Sequence, residues 1–106
     1  MRHHRERARL DHLFATSEHR HVGIAHDRPA LKTLRQIQPK IAHAIRAGLA
    51  AIATASFESH ANVQRMTGIK DGFRLRHGSW RGLYILDREA DTMWINWVKP
   101  RGSAYR

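Results

Sequence analysis

The sequence contains no cysteine, and that absence removes a disulfide framework, a thiolate nucleophile and any zinc site built on sulfur. Acidic residues are also scarce. Nine Asp and Glu stand against nineteen Lys and Arg, a formal charge of +10 with His neutral, and an excess of this size makes a polyanionic partner the leading expectation. Long hydrophobic runs are missing too: no stretch approaches the ~18 consecutive apolar residues of a membrane span, and the start MRHHRERARL lacks the apolar core of a secretory signal. These absences predict a soluble, unexported, cytoplasmic protein with no membrane partner. What is present, 106 residues of which 42% are hydrophobic, suffices for one domain around one core and leaves no room for a second.

The positive charge is not confined to a tail. Residues 1–28 carry +2, residues 29–71 carry +4 and residues 72–106 carry +4, so the excess lies within the segments that look folded and implies a basic surface built on the domain itself. Nucleic acid or an acidic protein fits such a surface equally. Six of the nine histidines fall at positions 3, 4, 12, 19, 21 and 26, so mild acidity raises the net charge further. No carboxylate or further histidine stands at a recognisable ligand interval from them, and neither a metal nor a cofactor is expected.

Along the chain, residues 1–19 read as a His- and Arg-rich extension whose only bulky apolar cluster is Leu10, Leu13 and Phe14. From Arg20 to His26 the alternation of Val22 and Ile24 predicts a short strand at the start of a domain covering 20–106. Asp27 and Pro29 announce a helix, carried by Leu31, Leu34 and Ile37 and ended by Pro39. A second helix follows from Ile41, Ile45, Leu49 and Ile52, with Gly48 an interior penalty of ~1 kcal/mol unless a close contact needs it. The stretch ESHANVQRMTGIKDG reads as an irregular connector anchored by Val63, Met66 and Ile69. Three strands then close the chain: Phe73 to His77, Trp80 to Asp87 and Thr92 to Lys99, joined by hairpin-length connections. The expected fold is α+β, strand-helix-helix-strand-strand-strand, with a helical hairpin on one face of a small, mainly antiparallel sheet.

Chemistry concentrates in the last third. Strand alternation puts Arg74 and Arg76 on one face, and hairpin pairing brings Arg81 beside them. Three guanidinium groups this close repel by ~1 kcal/mol or more per pair at surface dielectric, a cost without structural return unless an anion binds. Residues 72–86 hold no acid. The other reading is a solvated polar sheet face. Downstream, VKPRGSAYR adds Lys99, Arg101, Tyr105 and Arg106, an aromatic among cations, as expected where a base is stacked and its phosphate gripped; a C-terminal ring pinned on the core is the alternative. Alternation puts Trp94 and Trp97 on opposite faces, one in the core, and Tyr84 in the core. His77 adjoins the arginine strand and carries an imidazole, a side chain suited to proton transfer, although alternation groups it with Phe73 and Leu75.

The segments ALKTLRQI, MTGIKDGFRLRHGSWRGLYILD and WVKPRGSAYR together resemble the RelE/ParE superfamily of toxins from bacterial type II toxin–antitoxin pairs, over Arg20 to Arg106. Most specific is FRLRHGSWRGLYILD, in which Gly78, Trp80 and Arg81 fall where this family has Gly, an aromatic and Arg. The resemblance implies a RelE-like fold and a ribosome-dependent mRNA endoribonuclease that needs no metal: the ribose 2′-hydroxyl attacks the adjacent phosphate, and the protein supplies positioned charges and proton carriers. It implies a catalytic set of Arg81, Arg76, Arg101 and Tyr105, with Arg74, Lys99 and Arg106 holding RNA. Arg81 would steady charge on the phosphate, Arg74 would hold flanking backbone, Tyr105 would orient or stack the attacked nucleotide, and Lys99 or Arg101 would sit near the leaving oxygen. The implied partners are the ribosome, mRNA and a cognate antitoxin whose acidic or amphipathic segment covers the arginine face.

Two departures from the family pattern stand out. Arg74 and Arg76 occupy positions where cleaving members use lysine, and a guanidinium with pKa above ~12 is a poor general base. Tyr105 or His77 is left to take the proton, or charge stabilisation alone supports weaker cleavage. The extension over 1–19 is the second. Two alternatives stand beside the ribonuclease: a non-enzymatic poison of DNA gyrase, the role of the ParE branch, which gains from the missing lysine, and a non-toxic binding module that retains the fold.

Overall fold

The computed structural model describes residues 21–105, with the backbone alone at Tyr105. The expected extension over 1–19 and the candidate site residue Arg106 lie outside the described residues. The elements in order are β1 (Gly23–His26), α1 (Arg28–Gln36), α2 (Pro39–Ala53), β2 (Val63–Arg65), β3 (Gly72–His77), β4 (Trp80–Asp87), β5 (Thr92–Pro100) and a 3-10 turn (Ser103–Tyr105). The five strands form one sheet in the order β1-β5-β4-β3-β2. β1 runs parallel to β5, and every other pairing is antiparallel. Neither helix is long and apolar enough to cross a membrane.

The helical hairpin follows from its prolines. Pro29 and Pro39 each sit in a first helical turn, where the missing N–H would have no partner anyway. Pro39 also holds Gln38 out of the helical region, at φ −53 and ψ 131, so α1 stops and α2 starts in a new direction. Ala30 and Leu34 of α1, with Ala42, Ile45, Leu49, Ile52 and Ala53 of α2, form the buried stripe. They pack on one face of the sheet against Leu75, Tyr84, Leu86, Met93, Ile95 and Val98. Burying the Leu, Ile, Met and Val side chains among these, each worth about 1.5–3 kcal/mol, is the main force joining the two layers. Gly48 meets no close contact: a methyl group there would lie 3.6 Å from Leu75 Cδ2, an ordinary packing distance.

Two expectations are corrected. The connector after Phe57 is not wholly irregular, because Val63–Arg65 forms the edge strand β2, paired to β3 as Val63 with Leu75, Gln64 with Arg74 and Arg65 with Phe73. Trp94 and Trp97 do not lie on opposite faces. Leu83 pairs with Trp97 but Tyr84 pairs with Ile95, so Asn96 is an extra residue in β5. This β-bulge shifts the alternation by one. Trp97 opposes Leu83 and Trp94 opposes Ile85, and residues two apart on β4 share a face. Both indoles therefore lie on the face away from the helices, and neither belongs to the core cluster. Tyr84 is in the core as expected, 1% exposed, and burial pushes its phenol pKa up.

The bulge is tied to the start of α1. Asp27 adopts the extended backbone of a helix cap but makes no side-chain cap bond. Its carboxylate instead accepts from Asn96 Nδ2 at 2.6 Å, and its N–H donates to the carbonyl of Ile95 at 2.9 Å. Helix entry and sheet irregularity thus fix each other.

Candidate functional site

The face of the sheet away from the two α-helices, open in the sense that neither of them covers it, gathers the cations. In β3, Leu75 points into the core while Arg74 and Arg76 point away from it, as alternation requires. The β3–β4 connection contains only Gly78 and Ser79, with positive φ at Gly78 (58°), the pattern of a tight hairpin whose first central residue is glycine. That turn fixes the register in which Arg76 pairs with Arg81, and β5 continues the row by pairing Lys99 with Arg81. Directly opposed residues have Cβ atoms about 4.5–5.5 Å apart, and like charges so placed destabilise a sheet. Three consecutive strands nevertheless carry three cations in one row.

Two of these groups bond to uncharged side chains of the edge strand and its approach. Arg76 Nη2 donates to Asn62 Oδ1 at 3.0 Å, and Arg74 Nη2 donates to Gln64 Oε1 at 3.2 Å. Arg81 is different, since it is only 6% exposed and its Nη1 donates to the carbonyls of Gly78 at 2.9 Å and Trp80 at 2.8 Å. It thereby holds the turn that precedes it and is itself held, a preorganised cation at the centre of the row. Lys99 Nζ lies 4.7 Å from the Trp97 ring centroid, a cation–π contact on the same face. The backbone N–H of Arg101 donates to the carbonyl of Ser79 at 2.7 Å, which ties the chain after β5 to the hairpin turn and brings Arg101, exposed, to the end of the row.

Of the sequence-derived candidates, the structure brings Arg76, Arg81 and Lys99 into one row, with Arg74 one rung away opposite Leu83 and Arg101 at its edge. The backbone of Tyr105 closes the 3-10 turn after Arg101; its side chain and Arg106 lie outside what is described. His77 pairs with Trp80, on the face opposite to the arginines by register, and is exposed at the turn. Sequence reasoning missed Asn62 and Gln64, because it missed β2, and it missed Trp97, because no local signal marks the bulge.

Among the described residues, one acid–base pair lies away from the row. Asp71, at the turn before β3, accepts from Arg88 Nε at 3.1 Å and Nη2 at 3.2 Å, and that pairing holds its carboxyl below the usual carboxylate range. The Arg88 guanidinium also stacks 4.4 Å over Phe57. This is a structural clamp, remote from the row. Among the described residues no group of three His, Asp or Glu is placed to hold a metal ion.

No protein-family model and no curated protein matches the sequence. Solved structures do match in fold. The RelBE toxin–antitoxin complex of E. coli contains a chain similar to this one with a TM-score of 0.66 at 18% identity, over 74% of this chain and 95% of that one. The archaeal RelE–RelB complex of Pyrococcus horikoshii OT3 gives 0.66 at 18% identity, over 76% and 96%. The RelBE2 toxin–antitoxin complex of Mycobacterium tuberculosis gives 0.63 at 20% identity, over 77% and 93%. With two helices on one face of a five-stranded, mostly antiparallel sheet, this chain has the fold of the RelE toxins.

Proposed function

We propose that the protein is the toxin of a type II toxin–antitoxin pair and cleaves mRNA on the ribosome. One observation carries the reading: Arg76, Arg81 and Lys99 form a cross-strand row of cations on the open face of a RelE-like sheet. The repulsion inside such a row is repaid when a phosphate lies across it. The chemistry requires little else from the protein. The 2′-oxygen bonds to the adjacent phosphorus as the bond to the 5′-oxygen of the next nucleotide breaks; one proton leaves the 2′-hydroxyl and one reaches the departing oxygen. Charge accumulates on the non-bridging phosphate oxygens, and fixed donors aimed there stabilise the transition state without reorganising. Arg81 suits that task because the turn carbonyls already hold it. Arg76 neutralises the same phosphate, Arg74 grips the flanking backbone, and Lys99 and Arg101 lie on the side of the leaving oxygen. Tyr105 orients the attacked nucleotide, and Arg106 adds a further backbone contact.

The test is purified protein with translating ribosomes and mapping of the mRNA ends. The expected products are discrete fragments with a 2′,3′-cyclic phosphate on one side of the cut and a 5′-hydroxyl on the other, and Arg81→Ala is expected to lower the rate by about 10²–10³-fold. Intact message at protein levels that stop growth contradicts the reading. The neighbouring chains in the matched structures are RelB antitoxins, and by that analogy an antitoxin with an acidic, amphipathic segment covers the row in the resting complex.

A second reading, poisoning of DNA gyrase, is favoured by Arg74 and Arg76 standing where a lysine base is expected, since neither guanidinium abstracts a proton near neutral pH. It predicts that toxicity survives both Arg81→Ala and Tyr105→Phe, and that DNA damage in induced cells precedes the arrest of protein synthesis.

A further inference from the structure

The two indoles on the open face have no role in the cleavage chemistry, and the fold goes out of its way to place them there. Without the extra residue Asn96, strict alternation would send Trp94 and Trp97 to opposite faces; with it, both stand beside the cation row. Trp94 is 38% exposed, and leaving that much indole in water forgoes apolar burial available on the helix side. Leu83, which pairs with Trp97, is buried without joining the helix-side core, so apolar packing exists beside the indoles on this face as well. Trp97 lies one rung from Arg81 and Lys99, about 7 Å along the strand. The ammonium of Lys99 already rests 4.7 Å from the Trp97 ring centroid.

We infer that Trp97, flanked by Trp94, is a nucleobase-stacking platform that extends the site beyond the scissile phosphate, its occupant a single-stranded RNA segment whose backbone crosses the cation row. The inference rests on the function proposed above. Charge complementarity selects a polyanion, and flat aromatic faces beside cations on an open sheet match the way sheets bind single strands, by stacking bases and tracking phosphates. A base displaces the Lys99 ammonium from the Trp97 ring, and the ammonium moves to the adjoining phosphate. One weak contact is thereby exchanged for a stack and an ion pair.

The test uses the full chain and a short 2′-O-methyl oligoadenylate, whose blocked 2′-oxygens prevent cleavage, against an abasic phosphodiester of equal length. The oligoadenylate is expected to quench indole emission and to bind Trp97→Ala about 10-fold or more weakly than the parent. Trp97→Phe, which keeps a stacking face and guards against a folding artefact, is expected to restore most of the affinity while losing most of the quench. The abasic strand is expected to bind the parent and both variants alike. If Trp97→Ala binds oligoadenylate as the parent does while Arg76→Ala weakens it, the platform is refuted and the cleavage reading stands. Failure of the parent to bind oligoadenylate at all overturns the platform, while the cleavage reading stands or falls by the mRNA ends mapped on translating ribosomes. Quenching by an acidic amphipathic peptide but not by oligoadenylate assigns the face to a protein and overturns the platform.

Discussion

Arg81 is the residue in which stability and the proposed chemistry meet. Its Nη1 holds two carbonyls of the hairpin turn, so Arg81→Lys, which keeps the charge but not the planar fork, is expected to cost about 1 kcal/mol in a urea titration as well as activity. Two other described residues contribute to the acid response. Arg88 holds the Asp71 carboxyl below its usual range, and burial, assisted by the Arg46 charge, pushes the His26 imidazole down. For both groups the unfolded chain binds a proton more readily than the folded one, so both contribute stability that falls as the pH falls. Loss is expected to begin below about pH 6.5, where unfolded histidine titrates, and to deepen below about pH 4, where unfolded aspartate does. Urea midpoints across that range check it: Asp71→Asn should flatten the lower step and leave the upper one.

At the scale of elements, α2 carries an unneeded weakness. Gly48 has room for a methyl group against Leu75, so Gly48→Ala is expected to stabilise by up to about 1 kcal/mol, read as a higher urea midpoint with an unchanged slope. The elements also separate what could be read in the residues from what could not. Proline at positions 29 and 39 and the four-residue steps of Ile41, Ile45 and Leu49 marked both helices. Alternation around Gly78 and Ser79 marked the hairpin and, through it, the pairing of Arg76 with Arg81. β2 was illegible because Val63 is its only bulky apolar residue and its two exposed neighbours, Gln64 and Arg65, read as loop. Its order comes from pairing with β3 and not from its own pattern. The bulge was illegible for a related reason: Asn96 is held by Asp27, sixty-nine residues away in sequence, and a long-range bond leaves no local periodicity to detect. That single miss placed one of the two indoles in the core, where neither lies.

Viewed as a whole, the molecule sorts its functions by layer, with the helical hairpin and the core on one side of the sheet and the cation row with its two indoles on the other. The +10 charge was plain in the composition, but composition could not say that three of its members would line up across β3, β4 and β5. The account depends on that row touching phosphate. The most direct measurement is the affinity for a short single-stranded RNA as a function of salt, in the parent protein and in Arg76→Ala and Lys99→Ala. Each phosphate contact contributes about −0.7 to the slope of log affinity against log salt on single strands. Each substitution is expected to make the slope shallower by about that amount; slopes unchanged from the parent would show that the row meets no phosphate and would contradict the account.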